Sequence, residues 1–141
     1  MFAEGDYEGA LLTWLTYHAL LRPGDALLAQ ARDLRLPPTI DDILSGEKGA
    51  LQVRDSKRVA RVRLAGYEET LQPQHVHLFD RALMVLLWCY VRGKSGSEWL
   101  FPGFTGDLWR RALSRWAETL YVFQYQIVPR SFRPGGACFL H

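Results

Sequence analysis

The groups in this chain best equipped for chemistry are cations. Arg22 stands at the corner Leu21-Arg22-Pro23-Gly24-Asp25, where an apolar helical run stops and Pro23-Gly24 punctuates the chain. An arginine at such a corner is pinned between two packed helices, which suits a guanidinium that must be held still. Lys57 lies in a stretch where Arg54, Lys57, Arg58, Arg61 and Arg63 accompany a single acid, Asp55. Arg110, Arg111 and Arg115 follow later, and then Arg130 and Arg133. Acids gather early, at Glu4, Asp6, Glu8, Asp41, Asp42 and Glu47. The net charge is only +2, yet the second half is basic. That distribution fits a polyanionic partner, and a plain solvated surface carries much the same pattern.

Other reactive side chains point elsewhere. His75 and His77 alternate on a strand with no Cys or third His at metal spacing, so neither a metal nor a cofactor is expected. Gly93-Lys94-Ser95 lacks the upstream glycine spacing and the strand context of a phosphate-binding P-loop. His18 shares a helical face with Leu11, Trp14 and Leu15 and reads as a hydrogen-bonded core histidine. Cys89 and Cys138 are too few for a disulfide framework. The start lacks a signal-peptide pattern, and the longest apolar run, Ala82 to Val91, is about half of what crosses a bilayer. A soluble, intracellular protein is expected, with no membrane partner and no small-molecule substrate.

The elements that must position these cations can be read from period and punctuation. At 141 residues, 48% of them apolar, one domain over 1–141 can build its own core. A helix is expected over Tyr7 to Leu21, and a second from Asp25, as its cap, to Arg32. Pro37-Pro38 then forces extended chain. In the middle the period changes to two. Leu51 and Val53 alternate, and so do Ala60, Val62 and Leu64 with Arg61 and Arg63 between them. That pattern predicts a hairpin or small sheet with an apolar and a basic face, and Lys57 near its tip. Val76 and Leu78 mark a third short strand. Asp80 to Arg92 is the most apolar helix and is expected at the centre of the core. Thr105 caps a last helix with the stripe Leu108, Trp109, Ala112, Leu113, Trp116 and Leu120. The fold class expected is α+β, mainly helical, with a small antiparallel sheet of about three strands.

Taken in order, these pieces resemble the catalytic domain of tyrosine recombinases, the phage-type integrases, whose core is shared with type IB topoisomerases. Leu21-Arg22-Pro23-Gly24-Asp25 through Asp33 resembles the first arginine box, in which a glycine-leucine-arginine step leads into an acidic helix start. Lys57 matches the lysine of the family's β-hairpin. Arg130-Ser131-Phe132-Arg133-Pro134-Gly135-Gly136-Ala137 resembles the second box, usually His-x-Leu-Arg before a helix rich in small residues. The Gly-Gly-Ala ending is most similar to recombinases of eukaryotic mobile elements of the DIRS or Crypton kind.

The resemblance implies DNA integration and recombination through a covalent phosphotyrosine, without metal. Arg22 and Arg133 would grip the scissile phosphate, and Lys57 would protonate the departing oxygen. Arg130 stands where the family has a histidine and cannot accept a proton near neutral pH. The family's tyrosine nucleophile lies beyond a point matching His141, while Tyr121 and Tyr125 precede the second box. The expectation is therefore a truncated domain, incomplete at its C-terminus. It would bind duplex DNA through the phosphate backbone but would not cleave it alone, and it would reside in the nucleus if the source is eukaryotic. Missing C-terminal helices would expose apolar surface around Trp109 and Trp116 and favour homo-oligomers. The alternative is a small helical protein-interaction module whose arginines are solvated surface charges.

Overall fold

A computed structural model describes residues 4–53, 74–119 and Pro129. The strand expected over Ala60 to Leu64, the chain from Leu120 to Val128, and Lys57, Arg130 and Arg133 lie outside the described residues. The elements run α1 (Glu4–Ala19), α2 (Pro23–Leu27), a 3-10 turn (Ala31–Asp33), β1 (Leu34–Arg35), α3 (Ile40–Leu44), β2 (Gly49–Val53), β3 (Gln74–Leu78), α4 (Arg81–Val91) and α5 (Gly106–Thr119). This is an α+β arrangement, mainly helical, with one antiparallel three-stranded sheet in the order β1-β2-β3. Among the described residues no helix is long and apolar enough to cross a membrane.

The hub is α1, which packs against α2, β3, α4 and α5. A helix covered from several directions must bury more than one narrow stripe. Leu11 and Leu15 are buried as expected, but Leu12, Thr16 and Ala19 join them, while Trp14 and His18 sit half-buried at the edge. Buried Thr16 satisfies its hydroxyl by donating to the Leu12 carbonyl at 2.7 Å. Close approach of α5 to α1 depends on Gly9. A β-carbon there would stand 2.7 Å from Phe104 and 2.8 Å from Trp116, inside contact distance.

The two later helices follow their sequence signals. Asp80 caps α4 by accepting the Leu83 N–H at 3.1 Å, and Leu83, Met84 and Leu87 are buried. Thr105 accepts the Leu108 N–H at 3.3 Å and opens α5. Trp109, Ala112, Leu113 and Ala117 form the buried face of α5, whereas Leu108 is 46% exposed and does not belong to it. Trp109 is fully buried and donates its Nε1–H to Thr13 Oγ1 at 3.0 Å. The apolar surface expected around it is therefore covered, and Trp116 is half-buried.

The second helix departs from expectation at both ends. It begins at Pro23, because proline's fixed φ suits the first helical position. Arg22 is thus the N-cap residue, and Asp25 sits inside the first turn rather than at the cap. It ends at Leu27 because the following backbone groups are taken by the loop before α5. Ala29 C=O accepts from Leu100 N–H at 2.8 Å, and Ala31 and Arg32 donate to Glu98 and Gly96 at 2.9 and 3.0 Å. Those bonds replace helical ones, and the chain turns through Ala31–Asp33 into β1 instead.

Candidate functional site

Arg22 owes its placement to the way α1 ends. The Leu21 N–H returns to the Thr16 carbonyl at 3.1 Å, closing the last turn, and Leu20 between them has φ +56. This is a Schellman-type end, in which the residue after the helix turns left-handed to reverse the chain. Leu21 is then buried, 3% exposed, as an apolar anchor. Arg22 is thrown outward in extended conformation, with φ −73 and ψ 146. Its carbonyl accepts the Ala26 N–H at 3.1 Å and is committed to α2. Its side chain makes no capping bond, as expected of a guanidinium that offers donors only.

The corner opens onto a concavity of about 190 Å³, room for an ion of phosphate size. Leu20, Leu21, Arg22 and Asp25 line one wall, and Val53, Gln74 and Val76 the other. An anion placed there would meet the Asp25 carboxylate as well as the Arg22 guanidinium.

The second wall is where the basic stretch enters and leaves. Val53 and Gln74 are register partners across β2 and β3, in a ladder that continues through Gln52↔His75, Leu51↔Val76, Ala50↔His77 and Gly49↔Leu78. Val53 and Gln74, the described residues that flank 54–73 in the sequence, thus both line the concavity with Arg22. Lys57 is four residues past Val53 in the sequence. β1 occupies the other side of β2 through Leu34↔Leu51 and Arg35↔Ala50. Of the hairpin or small sheet expected there, the described residues form a small sheet in which Leu51 and Val53 pair with Val76 and Gln74.

The described sheet has one buried and one exposed face. Gly49, Leu51 and Leu78 are buried on one, while His75, His77 and Arg35 are exposed on the other. Arg61 and Arg63, which carry the expected basic face, lie outside the described residues. Of the four cations singled out in the sequence, Arg22 is described and sits at the concavity. Lys57, Arg130 and Arg133 are not described.

His18, expected as a hydrogen-bonded core histidine, lies at the same helix end, hydrogen-bonded and half-buried. His18 Nε2 accepts the Phe79 N–H at 3.2 Å, and its ring meets Phe79 edge-on with centroids 4.3 Å apart. Trp14, one turn earlier, donates its Nε1–H to Asp80 Oδ2 at 3.3 Å. The last turns of α1 are therefore tied to the β3–α4 junction by two ring nitrogens. Burial holds the His18 pKa below the ordinary histidine value, and the Asp80 charge opposes that shift less strongly. The spacing of Trp14 and His18 was legible; their partner, 61 residues further along for His18, was not.

No family model, curated protein or solved structure matches this chain.

Proposed function

We propose that the Arg22 corner is a phosphate clamp of a tyrosine-recombinase-like domain, and that the chain binds duplex DNA through its backbone. The observation that carries this reading is the left-handed turn at Leu20, φ +56. In the arginine box that the sequence resembles, a glycine precedes the leucine-arginine step, and glycine is the residue suited to that conformation. This chain makes a left-handed turn with Leu20 where the box has glycine, and Arg22, two residues on, lines the concavity. Val53 and Gln74, which flank the basic stretch in the sequence, line the facing wall, and Lys57 would serve as a second phosphate contact. Arg130 and Arg133 would complete the clamp.

Binding to a labelled duplex, measured across a salt series, tests the clamp. Affinity should fall steeply with salt and show little sequence preference. Charge-assisted contacts are worth about 1.5–3 kcal/mol, so Arg22→Ala should weaken binding by about ten- to a hundredfold. It should also flatten the salt slope by about 0.9. A flat salt response, or equal binding by Arg22→Ala, would sink the clamp and leave the interaction-module reading standing.

A further inference from the structure

We infer that His18 is a proton-operated latch, whose neutral imidazole ties the carboxyl end of α1, and with it the Arg22 turn, to the β3–α4 junction. The geometry requires a neutral ring. Phe79 N–H donates to Nε2 at 3.2 Å, so that nitrogen must carry a lone pair and the proton must sit on Nδ1. A protonated ring has donors on both nitrogens. It would face the Phe79 N–H donor to donor, and the bond would be lost.

The bond is exposed to solvent, and the nearby protein groups offer the imidazolium little in exchange. Among the described residues, the charged group that acts on His18 is Asp80, at the β3–α4 junction. Each of its carboxylate oxygens already holds a donor: Oδ1 the Leu83 N–H at 3.1 Å and Oδ2 the Trp14 indole at 3.3 Å. An imidazolium swinging toward Asp80 would compete with the α4 cap and with the second tie of α1. Protonation therefore removes one of the two ties between the elements and leaves the Trp14 bond to Asp80 as the other. Burial, which outweighs the pull of Asp80, places the ring's titration below the ordinary histidine value of about 6.5.

The consequence reaches Arg22 because little chain intervenes. His18 lies in the last turn of α1, Leu20 is the left-handed residue and Leu21 the buried anchor. Releasing His18 frees the turn that aims the guanidinium. The latch does not depend on what Arg22 binds, so it can fail or hold independently of the DNA reading.

The test uses the full chain, isotope-labelled, with the His18 ring resonance and the amide protection of Phe79 and Leu21 followed by NMR from about pH 8 to pH 5. His18 should titrate below about 6.5. Phe79 protection, corrected for intrinsic exchange, should fall with the same midpoint, about tenfold for each unit by which the folded pKa lies below the unfolded one. Leu21 protection should fall with it. In His18→Gln, whose amide oxygen accepts the same bond without titrating, both amides should be flat with pH. Titration of His18 at or above 6.5, a Phe79 amide indifferent to it, or a pH step that persists in His18→Gln would overturn the latch. A Leu21 amide that stays flat while Phe79 responds would overturn its coupling to the Arg22 turn.

Discussion

Helices α1 and α3 end in the same motif with different residues. In α3 the Glu47 N–H returns to the Asp42 carbonyl at 3.1 Å, and Gly46 makes the left-handed turn at φ +108. In α1 the Leu21 N–H returns to Thr16 at 3.1 Å, and Leu20 makes the turn at φ +56. A left-handed residue with a β-carbon costs about 1–2 kcal/mol, while glycine adopts the conformation freely. The α3 end lies in solvent, with Leu44 at 54% exposure and Ser45 to Glu47 exposed beside it. The α1 end is held by Ala19 and Leu21, 4% and 3% exposed, and by the His18 and Trp14 ties. An exposed end needs the residue that turns without strain. A buried one can impose the turn on leucine, because its neighbours over-determine the backbone. The strained end is also the one that presents Arg22.

If burial is what enforces the turn, removing it should have the largest effect. Leu21→Ala should destabilise the protein by about 2–5 kcal/mol through lost burial and the cavity left behind. Urea unfolding checks this, with an unchanged m-value showing that the loss belongs to the folded state. A cost under about 1 kcal/mol would mean that Leu21 is not the anchor and that the two ends differ for another reason.

Next in size is the exposed end. A β-carbon on Gly46 finds its nearest neighbour, an Arg81 guanidinium nitrogen, at 3.7 Å, which is ordinary contact. Gly46→Ala is therefore penalised by conformation alone, about 1 kcal/mol in the same unfolding assay. The reverse change at the buried end, Leu20→Gly, should relieve strain and stabilise by about 0.5 kcal/mol, since glycine also raises unfolded-state entropy and loses the half-buried side chain. A destabilisation of more than about 1 kcal/mol would make Leu20 a packing residue first and break the comparison.

What the sequence made legible was what local rules govern. Thr105 signals its helix through a cap that the structure contains, the apolar run after Asp80 forms α4, and the alternation around Leu51 and Val76 marks strands that do pair. What it concealed depends on distant partners. β1 is two residues long and too short to show a period. The early end of α2 follows from bonds to Gly96 and Glu98, far along the chain. The wide buried arc of α1 follows from being packed against several elements at once. At the candidate site, Pro23-Gly24 announced a corner and Arg22 its charge. The strain at Leu20 and the His18 tie could not be read from residue types, because leucine carries no turn signal and an apolar-face histidine names no acceptor role.

The smallest effect concerns protons. His18 has its pKa lowered in the folded protein by burial, against the weaker pull of Asp80, so the unfolded chain takes up the proton first as pH falls. Stability should therefore be fully present above about pH 6.5 and decline below it, through the lower folded value. In His18→Gln this component should vanish, leaving a shallower acid-side decline in melting temperature. A cycle with Leu20→Gly then decides whether the tie and the strain are one system. Residues in separate structural roles add within about 0.3–0.5 kcal/mol. If the neutral imidazole helps hold Leu20 left-handed, His18→Phe, which removes the acceptor, should cost less once glycine makes the turn without strain. Additivity would mean instead that Leu21 alone enforces the turn, and that His18 fastens a helix end already set by its apolar anchor.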